Sequence, residues 1–132
     1  LDKIKVGSFV ECKKKFSLED VKLFAELSND KNPIHLNAEF AAATQFGKPM
    51  VHGIFVASIF SSLIANELPG PGSIYLHQSL DFVAPVFHDM EVTCRVEVLS
   101  LRTDKPVFEI STTCQDNNGK LLITGKAVVL KK

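Results

Sequence analysis

Gly53-Ile54-Phe55-Val56-Ala57-Ser58-Ile59-Phe60-Ser61-Ser62-Leu63-Ile64-Ala65-Asn66-Glu67 is apolar almost all round, and Pro69-Gly70-Pro71-Gly72 stops it. As a helix this stretch spans about 22 Å at 1.5 Å per residue. A helix that is greasy on nearly every side is buried on most of them, so the rest of the chain has to wrap it. Downstream, Val92, Cys94, Val96 and Val98 alternate with Glu91, Thr93, Arg95 and Glu97. That is the period of a half-buried strand. Phe108, Ile110, Thr112 and Cys114 repeat it. Thr103-Asp104-Lys105-Pro106 reads as a turn, and Asn118-Gly119 is a strong hairpin signal. Ile74 to Val83 and Leu121 to Leu130 complete the later strands, and residues 4–15 read as an earlier one. Strand, helices, then four strands is the element order of an α+β fold. The expectation is a five-stranded antiparallel sheet wrapped around one central helix.

Between the first strand and that helix the signals are caps and breakers. Ser17 reads as a helix N-cap, with Asp20 three residues on as the capping-box acid. Val21, Phe24, Ala25 and Leu27 follow at helical spacing. The helix has to stop near Ser28, because Pro33 forces Asn32 out of the helical region. Ser28 to His35 is then a polar excursion between helices. Asn37 is placed to cap a second helix, Ala38 to Phe46, ended by Gly47.

Composition narrows the class. At 132 residues and 45% hydrophobic, the chain 1–132 is one domain with enough apolar surface for a core of its own. Fifteen Lys+Arg balance fifteen Asp+Glu, so the formal net charge is zero. A nucleic-acid binder carries a basic excess, and none is present. No basic amphipathic face and no apolar run of about 18 residues suggests a membrane. Cys12, Cys94 and Cys114 are widely spaced with no C-x-x-C, so they read as buried reduced thiols and no metal centre is expected. Reduced thiols imply a reducing compartment. The chain begins at Leu1 and shows no signal-peptide pattern. The cytoplasm is the expected location, or a mitochondrial matrix if a transit peptide once preceded Leu1.

Asp30 and His35 lie five apart in the polar excursion, with Pro33 stiffening the segment between them. Aspartate is ordinarily an anion near neutral pH and histidine mostly neutral. Together they can hold one water and relay its proton. On spacing alone, an Asp and a His in a polar loop are more often a cap and a solvated side chain. His52-Gly53 opens the greasy helix. First-turn N–H groups have no partner inside a helix and sit at the positive end of its dipole. Gly53 N–H is therefore placed to stabilise an oxyanion, although close packing alone also explains a glycine there. Counted at 100° per residue, Ala57, Phe60 and Ile64 fall on the Gly53 side, with Ser61 at the edge. They can line an apolar channel or simply pack the core.

Three stretches carry a family resemblance. Phe24-Ala25-Glu26-Leu27-Ser28-Asn29-Asp30-Lys31-Asn32-Pro33-Ile34-His35-Leu36 resembles the hydratase signature of the MaoC-like, (R)-specific enoyl-CoA hydratases. Pro49-Met50-Val51-His52-Gly53 resembles the same family's start of the central helix. Leu68-Pro69-Gly70-Pro71-Gly72-Ser73-Ile74-Tyr75-Leu76, with Gln78-Ser79-Leu80 and Phe82, resembles its next strand. The likeness runs from about Val6 to Val129, and within the family it looks most like the short bacterial hydratases linked to polyhydroxyalkanoate synthesis.

The resemblance implies a hot-dog fold, with Asp30 and His35 as the catalytic pair and Gly53 N–H as the oxyanion donor. It implies that Ser61 lies beside the active site, that Asn32 braces the loop, and that Val128 lines the acyl pocket; Ala57 and Ile64 are expected to face that pocket from their helical spacing. The medium size of Ile64 and Val128 then predicts a short acyl chain. One departure is visible: many members have Gly before the catalytic Asp, and this chain has Asn29. Asn tolerates left-handed backbone angles.

The activity so implied is hydration of trans-2-enoyl-CoA to (R)-3-hydroxyacyl-CoA, reversibly and with no cofactor. The alternatives weighed are a hot-dog acyl-CoA thioesterase and a non-catalytic acyl-CoA binding domain. The first wants a carboxylate on the central helix, which carries none before Glu67. The second would not need the Asp30–His35 pair. A sheet curled over one helix leaves an edge strand open, and family members join two sheets into a ten-stranded homodimer. Lys31, Lys48 and Arg102 are candidate contacts for the CoA phosphates.

Overall fold

The computed structural model describes residues 4–132. The first strand, β1 (Phe9–Lys14), leads into α1 (Leu18–Ser28). The capping box forms as expected: Asp20 N–H donates to Ser17 Oγ at 3.1 Å and Ser17 N–H to Asp20 Oδ2 at 3.0 Å. Asn29 ends α1 in the left-handed region at φ 64°, the conformation its side chain tolerates.

The polar excursion is more ordered than its composition suggests. Asn32 Oδ1 accepts Ile34 N–H at 3.2 Å and starts a short helix, α2 (Pro33–Leu36), on which His35 sits. Asn37 then caps α3 (Ala38–Ala42). The expected helix to Phe46 stops four residues early. Thr44 intervenes: its hydroxyl donates to Ala41 O at 2.7 Å and accepts Phe46 N–H at 3.2 Å. Such local side-chain bonds compete with helical ones.

The greasy stretch forms α4 (Gly53–Asn66). Then come β2 (Ile74–Gln78), β3 (Asp81–Phe82), β4 (Val92–Leu101), β5 (Val107–Asp116) and β6 (Leu121–Leu130). The single strand expected over Ile74 to Val83 is broken in two, so among the described residues the sheet has six strands rather than five. The break falls at Ser79, whose carbonyl would lie 1.9 Å from any Cβ on Gly125 of the neighbouring strand. Ser79 N–H donates to Lys126 O at 2.9 Å, and Lys126 N–H to Ser79 Oγ at 3.0 Å. Strand order is β1-β4-β5-β6-β2, antiparallel throughout, with β3 also paired to β6.

Strand alternation sends Val92, Cys94, Val96 and Val98 of β4, with Phe108, Ile110 and Cys114 of β5, into one core. Val56, Ala57, Phe60, Leu63 and Ile64 of α4 meet them there. Burying each large apolar side chain contributes about 1.5–3 kcal/mol. This is the hot-dog arrangement, an antiparallel sheet around a long central helix. Cys12, Cys94 and Cys114 stand in register on three adjacent strands as free thiols. A hydrogen bond to Cys114 and burial together push the Cys94 thiol far above the usual range.

Not every side of α4 is covered. Ile54, Ser58, Ser61 and Ala65 recur at helical spacing along an exposed stripe. Among the described residues no helix is long and apolar enough to cross a membrane.

Candidate active site

Asp30 lies in the loop between α1 and α2. Its N–H donates to Ser28 Oγ at 3.1 Å, and its Oδ1 accepts Asn32 N–H at 3.3 Å. The carboxylate is exposed. His35 is different: it is only 8% exposed and points inward from α2. Its Nδ1 lies 2.8 Å from the carbonyl oxygen of Met50. A carbonyl only accepts, so Nδ1 carries the proton and Nε2 keeps a lone pair. Burial lowers the His35 pKa from its ordinary value. The Met50 hydrogen bond and the Asp30 charge oppose that shift, while His52 and His88 add to it. His35 is thus a neutral imidazole with a free basic nitrogen beside a carboxylate.

Two further histidines belong to this site, and their side-chain roles were not expected from the sequence. His52 is the N-cap residue of α4 and only 2% exposed. Its Nε2–H donates to the Asp30 main-chain oxygen at 2.8 Å, and its ring stacks on His35 with centroids 3.9 Å apart and planes 27° apart. His88 Nε2–H donates to the His35 main-chain oxygen at 3.0 Å. For His52 the signal was its place directly before Gly53. For His88 nothing in the local sequence pointed to a partner 53 positions away.

Asp30, His35 and His52 each bring one ligand atom within 4.8 Å of the others. Metal–imidazole bonds lie in the ring plane at about 2.0–2.1 Å. Ring planes 3.9 Å apart and only 27° from parallel do not meet at one point that close to both rings. The cluster suits hydrogen bonding rather than chelation.

Gly53 opens α4 and lines an apolar cavity of about 360 Å³. Met50, Ile54, Phe82, Pro85 and Ile123 are among its other walls. The cavity adjoins the site through Met50, whose carbonyl holds His35, while Asp30 and His35 lie outside its lining. The remaining expected site residues are placed elsewhere. Ala57 and Ile64 are buried in the core that backs this cavity. Ser61 is exposed two turns along α4, about 12 Å from Gly53. Val128 is half-buried on β6, opposite His77 and Glu109. Within one chain, then, Asp30, His35 and the start of α4 come together, and the other four do not join them.

A family model described as "MaoC like domain" matches residues 7–118. The chain is 49% identical over 126 residues to the "(R)-specific enoyl-CoA hydratase" of Aeromonas caviae, covering 96% of this chain and 94% of that protein. It is 41% identical over 127 residues to the protein of the same name from Rhodospirillum rubrum, covering 96% and 88%. Among solved structures, the "(R)-hydratase from A. caviae involved in PHA biosynthesis" superposes with a TM-score of 0.96 at 47% identity, covering all of both chains. Fold, signature and relatives agree, and the chain belongs to the family of MaoC-like domains.

Proposed function

We propose that this chain catalyses the reversible, (R)-specific hydration of trans-2-enoyl-CoA to (R)-3-hydroxyacyl-CoA, and that residues 1–132 work as one domain of this kind. The observation that carries the mechanism is His35. Its proton is committed to Met50 O, its Nε2 is free, and Met50 is three residues from Gly53. A base and an oxyanion donor are thereby tied to one short segment.

In this reading the thioester carbonyl faces Gly53 N–H, and the acyl chain enters the apolar cavity. Asp30 and His35 hold a water over C3 and take its proton. The water oxygen bonds to C3, and the π electrons move to the carbonyl oxygen as an enolate, stabilised at the helix N-terminus. Reprotonation at C2 restores the carbonyl. Ser61, Ala57, Ile64 and Val128 are the proposed extension of the acyl pocket. The free thiols fit a reducing compartment, the cytoplasm or a mitochondrial matrix.

A second copy of the chain completes the assembly we propose. Edge strand β2 leaves Ile74, Tyr75 and Leu76 exposed, and Phe82, Val83 and Ile54 are open nearby. An open apolar edge of this kind is a pairing surface. Pairing two such edges would give one continuous sheet and would cover the bare stripe of α4.

The deciding experiment is hydration of crotonyl-CoA, followed by loss of the enoyl-thioester absorbance with chiral analysis of the product. (R)-3-Hydroxybutyryl-CoA as the product supports the reading. No hydration, or the (S) product, ends it.

A further inference from the structure

Three chain segments meet at the proposed centre: the loop bearing Asp30, helix α2 bearing His35, and the first residue of α4. One side chain touches the first two and is bonded through the backbone to the third. We propose that His52 is the positioning residue of this centre. Its Nε2–H clamps the Asp30 carbonyl and its ring face holds His35, so both stay in fixed relation to the Gly53 N–H. This inference rests on the hydratase reading above.

His52 serves neither of the ordinary purposes of its position. Helix N-caps favour Ser, Thr, Asp and Asn because their oxygens accept first-turn N–H groups. His52 is the N-cap of α4 and makes no such bond. As a space-filler it is also a poor choice. With Nε2 donating to Asp30, its Nδ1 bears a lone pair, and that atom is buried with no hydrogen-bond partner among the described residues. A buried unpaired acceptor is unfavourable, and phenylalanine would fill the space without one. What histidine adds is the donor to Asp30.

The ring is also immobilised from behind. Phe24 meets it edge-on at 4.8 Å, and Phe55 of the first turn of α4 stacks on Phe24 at 4.6 Å and 6°. Phe16 closes the column edge-on against Phe55 at 4.8 Å. Such offset and edge contacts are the favoured aromatic arrangements. The column runs from the buried Phe16 to His35, so the loop is braced against the core rather than left to its own short contacts. A loop residue such as Asp30, exposed and bonded locally only to Ser28 and Asn32, gains its placement from this clamp.

The test compares wild type, His52→Phe and His52→Gln on crotonyl-CoA, with melting temperature recorded for each. Phenylalanine keeps the ring and loses the donor. It should lower kcat by about a hundredfold, the size of effect a small misplacement brings, while KM and melting temperature stay near wild type. Glutamine offers an amide N–H at similar reach but gives up the ring face against His35, so it should recover part of that loss. A wild-type kcat in His52→Phe, or equal impairment of both variants, overturns the proposal. A wild type that does not hydrate crotonyl-CoA overturns the hydratase reading instead. Long-range ¹H–¹⁵N correlation on the wild-type protein gives an answer even if a variant does not fold. The chain has only four histidines. His52 should appear as the Nε2–H tautomer, and the Nδ1–H tautomer would rule the clamp out.

Discussion

The ring of Phe82 rests on Gly53: a Cβ there would lie 2.6 Å from two of its ring carbons. The glycine is required by this close approach rather than by a backbone angle, since Gly53 has ordinary helical geometry. Phe82 itself is held at the end of β3, opposite Ile123 of β6, and is 51% exposed. Gly53→Ala should therefore push the ring aside while keeping the main-chain N–H. The expected fall in kcat is smaller than the roughly 10²–10³-fold that follows loss of an oxyanion donor. Adding Phe82→Ala should restore part of it. Steady-state rates on the single and double variants check this, and no recovery in the double variant would show that the contact is not the cause.

Asp30→Asn and His35→Gln should each lower kcat by at least about a hundredfold, within the range general acid–base groups supply. Their stabilities should differ. Asp30 is exposed, and an asparagine oxygen can still accept Asn32 N–H, so its melting temperature should not move. His35 is buried and stacked on His52, so its variant should lose about 1 kcal/mol with the ring contact. Denaturant melts and initial rates separate the two effects.

Burial places the His35 pKa below its ordinary 6.5. In the proposed mechanism the basic form of His35 takes the water's proton, so the acidic limb of kcat/KM should fall below pH 6.5. Stability follows the same group. Between the lowered folded value and 6.5 the unfolded chain binds more protons than the folded one, so stability rises with pH across that window. The contribution is complete above pH 6.5 and is lost as pH falls through the folded value. A pH–rate profile of wild type, with melting temperature at each pH, reads both. A limb at or above 6.5 contradicts the assignment.

Ile64 belongs to the buried cluster that includes Val51, Val86 and Ile123, which wall the cavity beside Gly53. Ile64→Ala should cost about 2–5 kcal/mol in stability. If the pocket extends this way, an acyl chain that fills the gap regains about 0.8 kcal/mol per buried CH₂. The kcat/KM ratio of octenoyl-CoA to crotonyl-CoA should then rise in the variant. An unchanged ratio would confine the chain to the existing cavity.

Activity should depend on association of two chains through β2. Sedimentation should find a dimer at working concentration, and specific activity should fall as dilution yields monomer. An active monomer would contradict the proposed assembly.

The capping box of α1, the alternation of β4 and β5 and the length of α4 were legible because each depends on residues three or four apart, or on a period along one segment. Local chemistry also misled. Asn37 does cap a helix, but the Thr44 hydroxyl ends it early. The β2–β3 break was invisible because it depends on Gly125, 46 residues from Ser79.

The candidate site divides along the same line. Asp30, His35 and Gly53 could be nominated from spacing and resemblance, because a motif is a local pattern. The protonation state of His35 could not, because it depends on Met50 O, 15 residues away, and on burial. Nor could the reach of His52 across 22 positions to Asp30, or the seat of Phe82 on Gly53. Periodicity encodes which face of a segment turns inward. Which atoms then meet depends on how the sheet closes over α4, and that closure joins residues whose separation along the chain leaves no periodic trace.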